Sequence, residues 1–269
     1  MSESIPGLDT EIPGKLKNEY PGMPWYPSAT TVQSFLRRNR IHKKVLAKKC
    51  PINDVNRDKR VRFAEVWMDD EHNIVWTDEM MVEAYPSNRR IMEYIHDDVP
   101  KDQRPVQEVM HSGKFKVMFW GFITKHGRGP IVPIFGTVDA IRYKQLLTQS
   151  LLPMFNEFEE LFDGDWYLMQ DNAPCHTAAS VREFLAEKGV DFIEWPPYSP
   201  DLNPIENVWA WVKAKLYSDY DPARTPAELV SYVKLIWEQI TPELCARFCG
   251  NYQKRLEAVI AADGGHTKY

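Results

Sequence analysis

The chain has 269 residues, 43% hydrophobic and 12% aromatic, with a formal charge of −5. It is long enough for one large domain with appendages and too apolar to be disordered throughout. No apolar run approaches the roughly 18 residues needed to cross a membrane, and Cys50, Cys175, Cys245 and Cys249 lack paired zinc-ribbon spacing, reading instead as reduced thiols of an intracellular protein.

The charge is unevenly spread. Arg37 to Arg62 holds eleven Lys and Arg against Asp54 and Asp58, so a segment of +9 accompanies a body of −14. Residues 1–29 read as an extended leader, since five prolines and three glycines fall within the first 30 positions. Residues 30–69 follow as a basic helical segment. Over Thr30 to Ile41, Val32, Phe35 and Leu36 share one helical face, while Arg37, Arg38 and Arg40 occupy the last turn, where cations suit the helix dipole. Lys43, Lys44, Lys48 and Lys49 continue as a linker. These cations either contact DNA phosphates, as the end of a helix-turn-helix, or form a solvated face. A second helix is expected from about Val55 to Met68.

The periodicity then changes. From Ile74 to Val82 alternation puts Ile74, Trp76, Asp78 and Met80 on one face of a strand. A carboxylate among large apolar residues needs a cation, a proton or a solvent-facing strand end. Tyr85 to Ile95 reads as a strand pair, and KVMFWGFIT, KHGRG and PIVPIFG as a hairpin with glycines in its turn. Asp139 is placed to cap a helix with Tyr143, Leu146, Leu147 and Leu151 along one stripe.

WYLMQD, TAASVREFLAEKG and VDFIEW next alternate as strand, helix and a second strand ending near Trp195. The fold class predicted for residues 70–262 is therefore α/β, a mixed sheet flanked by helices. Asp171 falls at the carboxyl end of its strand, where ligands of such sheets collect. Asn203, Pro204 and Glu206 match a capping box, yet Glu206 also flanks the inward face made by Ile205, Val208, Trp209, Val212 and Leu216, so capping and ligation both stay open. Thr225-Pro226 and Thr241-Pro242 announce two packing helices, and 263–269 reads as a frayed tail.

The strings VWTDE, MQDNAPCH and WPPYSPDLNPIENVW, in that order and with 34 residues between Asp171 and Glu206, resemble the acidic motifs of the mariner superfamily of DDE transposases, in the branch whose third acid is glutamate. The resemblance covers roughly Thr30 to Tyr252. It implies a ribonuclease H-like fold, with Asp78, Asp171 and Glu206 as catalytic triad and metal ligands; Glu79 and Asp201 stand outside it. Asn172, His176 and the Pro196 to Pro204 loop would shape the site, His176 by touching DNA or water or by capping the helix at Thr177.

Carboxylates suit two Mg2+ or Mn2+ ions, hard cations that retain open positions for phosphate oxygens. The implied activity is cleavage and transfer of DNA strands at inverted-repeat ends, in a homodimer on DNA, in the nucleus if the host is eukaryotic. Family members begin with two helix-turn-helix units, whereas only a remnant of the second, around Thr31 to Ile41, is recognisable. That shortening motivates the alternative of an inactive or host-adopted DNA-binding descendant.

Overall fold

β1 (Ile74–Glu83) is the hub of the sheet. It pairs antiparallel with β2 (Lys116–Thr124), which turns into β3 (Gly127–Ile134), and runs parallel to β4 (Tyr167–Met169), giving the order β3-β2-β1-β4 among the described residues. The strand expected up to Trp195 reduces to one parallel bridge between Leu168 and Phe192. The computed structural model describes residues 27–39, 51–68, 73–84, 115–250 and 252–269, with position 18. Most of the leader, Arg40, Lys43, Lys44, Lys48, Lys49, Cys50 and the strand pair expected over 85–95 lie outside the described residues.

The chain divides into two compact units, 1–50 and 51–269. In the first, α1 (Ala29–Arg38) is capped by Ser28, whose hydroxyl accepts from Thr31 N, and ends in exposed Arg37 and Arg38. The second begins with α2 (Asp54–Val66), capped by Asn53. Sequence grouped this helix with the basic segment before residue 70, but it packs against α10 (Tyr252–Ala261), a helix the periodicity did not reveal.

Both faces of the sheet are covered, which is why KVMFWGFIT is apolar almost throughout instead of alternating. On one side Trp76, Met80, Val82, Phe119 and Ile123 pack with α2, α10, α7 (Ile205–Asp219), α8 (Pro226–Trp237) and α9 (Pro242–Cys249). On the other, Val75, Trp120, Phe122 and Leu168 pack with α3 (Ala140–Ser150), α4 (Phe155–Phe162), α5 (Pro174–Thr177) and α6 (Ala179–Glu187). Asp139 caps α3 as expected, its side chain accepting from Arg142 N at 2.8 Å. The short α4 was not foreseen.

Two further expectations change. The hairpin turn is Lys125–His126, and the glycines meant for it lie in β3. Gly129 is there because a Cβ would sit 2.0 Å from the Phe122 ring. Segment 263–269 is not frayed: Arg60 donates to Gly264 O at 2.9 Å and Gly265 O at 3.2 Å, and Thr267 is buried.

Candidate active site

The three acids arrive from separate elements and line one cavity of about 470 Å3. Asp78 lies in β1 opposite Gly121 of β2. Any Cβ at Gly121 would come within 3.2 Å of the Trp209 ring, so the missing side chain leaves room for this tryptophan of α7. Trp209 Nε1 in turn donates to Asp78 Oδ2 at 3.0 Å. Asp171 follows the end of β4 by two residues and is half exposed. Its Oδ1 accepts from Ala173 N at 2.9 Å and lies 2.7 Å from His176 Nδ1. Glu206 is exposed in the first turn of α7.

The capping box expected around Glu206 does not form. α7 starts at Ile205 with Pro204 in the cap position and no side-chain cap bond. The Asn203 N–H is taken by Pro200 O at 3.0 Å, so the reciprocal bond from Glu206 has no donor. Asn203 instead accepts from Ile205 N at 3.3 Å and donates to Thr77 O at 3.4 Å, stapling the helix start to β1. The Glu206 carboxylate is thereby left for the cavity.

Electrostatics follow from this crowding. Burial, reinforced by Glu206 and Glu79, pushes the Asp78 carboxyl up to about 8 against the opposing Trp209 bond. Partial burial of its carboxyl against the cavity wall also raises the otherwise exposed Glu206, helped by Asp171 and opposed by Lys213. Asp171 moves down because His176 bonds it. For His176, burial opposes the charge, but the bond to Asp171 and the nearby Glu79 carboxylate outweigh it and push the imidazole up to about 10.

An all-carboxylate donor set in which burial and mutual repulsion raise two members suits a divalent cation, whose charge would relieve the repulsion. Among the described residues no three His, Cys, Asp or Glu side chains already stand close enough to hold an ion. The acids share a cavity without forming a closed cage.

His176 is buried and supports the site from behind. Its Nδ1 holds Asp171 and its Nε2 lies 3.3 Å from Glu79 Oε1. Glu79 neighbours Asp78 in β1, so alternation turns it to the other face of the sheet; the signal for this partner was present in the period-2 pattern. The Tyr143 ring lies tilted against the His176 ring, with 4.2 Å between centroids, and its hydroxyl donates to Gln170 Oε1 at 2.9 Å. Asn172 shapes the loop, donating to Trp195 O at 2.8 Å.

Asp201 forms the core of a separate buried network. Arg60, fully buried, donates to its Oδ1 at 2.9 Å and its Oδ2 at 2.7 Å, and Thr267 Oγ1 donates to Oδ2 at 2.8 Å. Arg255 Nη1 donates to Asp201 O at 2.7 Å. Sequence reading could not pair residues 141 positions apart.

A family model described as DDE superfamily endonuclease matches residues 73–225. The transposable element Tcb1 transposase of Caenorhabditis briggsae is 28% identical over 90% of this chain and 89% of its own length. The transposable element Tc1 transposase of Caenorhabditis elegans is 29% identical over the same shares. Among solved structures, the Mos1 mariner paired end complex with Mn aligns with a TM-score of 0.76 at 21% identity, over 94% of this chain and 75% of that one. The catalytic domain of Mos1 mariner transposase aligns with 0.64 at 18% identity, over 82% of this chain and all of the other.

Proposed function

The chain belongs to the DDE superfamily endonucleases, and from that premise we propose that it is a DNA transposase that cuts and joins strands at the inverted-repeat ends of a transposable element. One observation carries the reading: Asp78, Asp171 and Glu206, far apart in sequence, line a single cavity. The kinship with transposases of Caenorhabditis elements supports the substrate class.

In this proposal the three carboxylates hold two Mg2+ or Mn2+ ions, which when bound activate a water or 3′ hydroxyl and steady the leaving oxygen. The rest is done by the protein itself. Trp209 orients Asp78, His176 and Ala173 N fix one oxygen of Asp171, and Asn203 anchors the helix that displays Glu206. Arg37 and Arg38 of α1 are proposed phosphate contacts, together with Arg40, Lys43, Lys44, Lys48 and Lys49. A homodimer on paired DNA ends, acting in the nucleus of a eukaryotic host, completes the reading.

The test is cleavage of an inverted-repeat duplex by the full chain with Mg2+ or Mn2+. Strand nicking by wild type and its loss in Asp171→Asn are expected; equal behaviour of the two proteins would sink the proposal. In that event a DNA-binding descendant without turnover becomes the better description, recognised by steep salt dependence that Asp78→Ala leaves unaltered.

A further inference from the structure

The cavity has two chemical halves. Asp78, Asp171 and Glu206 supply oxygen, whereas Trp195, Pro196, Pro197 and Tyr198 supply an apolar and aromatic strip. Its volume of about 470 Å3 lies within the roughly 300–1,000 Å3 typical of small-molecule pockets. The acids account for a divalent cation and the phosphate it would bind but leave the aromatic strip unexplained.

Tyr198 is 53% exposed and has a φ of 55°. An exposed tyrosine is ordinary, but a bulky side chain in the left-handed region is not. The other two non-glycine residues with positive φ among those described are Asp163 and Asp263, of a type that tolerates it.

The conformation is imposed from behind. Arg60 Nη1 donates to Tyr198 O at 2.9 Å and to Ser199 Oγ at 2.7 Å, while Ser199 Oγ donates to Pro197 O at 3.0 Å. Arg60 is itself locked by both oxygens of Asp201, and Pro196, Pro197 and Pro200 restrict the loop further. Strain persists where the surroundings over-determine it, and such positions cluster at ligand clamps. A rigid loop also presents its aromatic at little entropic cost.

We infer that Tyr198 is a base-stacking residue, which takes the face of a nucleobase adjacent to the phosphate that a cation on the carboxylates would hold. This rests on the DNA strand-cleaving reading above. The ligand is a base of the cleaved strand, and because every base has a π-face the contact tolerates many sequences.

The experiment scans 2-aminopurine through the end of an inverted-repeat duplex and follows its fluorescence and affinity with the full chain, first without metal and then with cleavage measured in Mn2+. Wild type is expected to change the fluorescence near the scissile phosphate, and Tyr198→Phe to match it. Tyr198→Gly should abolish that change and weaken binding roughly 5- to 150-fold, without lowering Tm, because glycine suits the positive φ. Unchanged fluorescence and affinity in Tyr198→Gly overturn the inference, and if Asp171→Asn still abolishes cleavage the enzymatic reading survives it. A wild type that neither alters the fluorescence nor cleaves overturns both.

Discussion

Trp209 Nε1 donates to Asp78 Oδ2 at 3.0 Å, joining the helix that carries Glu206 to the strand that carries Asp78. The same indole stacks on Trp237 at 5.3 Å and is buried, so the donor is fixed by packing. The position of the least exposed of the three acids is thus set from the neighbouring core. Trp209→Phe keeps a ring but removes the donor. Once a cation bound at the site ionises Asp78, a bond of this kind contributes about 1.5–3 kcal/mol. The single-turnover cleavage rate is expected to fall roughly 10- to 150-fold. Because the bond favours the ionised form, the Asp78 pKa should also rise, which 13C NMR of the carboxyl would follow.

His176 acts on Asp171 from behind, and its loss also strands Glu79 without its cation. Substitution of a residue that orients a metal-holding side chain typically costs about 10- to 100-fold in affinity or activity. His176→Ala is expected to weaken Mn2+ binding, measured by calorimetry, by that factor. Equal affinity in the variant would mean that Asp171 needs no such support.

Arg60→Met leaves Asp201 buried and unpaired, and a cost of about 3–5 kcal/mol is expected in denaturant unfolding. Pairing it with Asp201→Leu should recover much of that loss, since a buried ion pair can be replaced by apolar groups of similar volume. Additive destabilisation in the double variant would contradict the pairing.

The same pair sets an acid limit. Burial alone would raise the Asp201 carboxyl, but the bonds and charge of Arg60, with Thr267, outweigh it and hold it below the ordinary value of 3.8. The folded pKa is therefore depressed, so the stabilisation is full above the unfolded value and is lost as pH falls through the folded one. Unfolding free energy should decline below about pH 4, and Asp201→Asn should flatten that part of the profile.

At Gly129 the limit is space. A Cβ would meet the Phe122 ring at 2.0 Å, and that ring is buried and packed on Phe158 at 5.8 Å. Gly129→Ala is expected to cost about 1–3 kcal/mol, read as a lower denaturation midpoint. Combining it with Phe122→Leu should return part of the loss.

Much of the architecture was legible because it rests on local rules. Alternation in β1 put Trp76, Asp78 and Met80 on one face, and Asp139, Thr225 and Thr241 cap the helices they were expected to open. The failures have local causes too. Asn203, Pro204 and Glu206 satisfy the spacing of a capping box, but the preceding turn had already taken the Asn203 N–H. The tail looked unstructured because its partners, Arg60 and Asp201, lie 204 and 66 positions away.

Sequence alone carried most of the element types and apolar faces, since these depend on side-chain chemistry and on periods of a few residues, while the resemblance of three motifs singled out Asp78, Asp171 and Glu206 as candidates. Only the tertiary structure decided that Glu79 and His176 stand behind Asp171, that Trp209 reaches Asp78, and that Arg60 holds Tyr198 in a left-handed backbone. Such pairings join segments by packing over long stretches of chain, and no local pattern encodes a contact whose two halves become neighbours only when both faces of the sheet are buried.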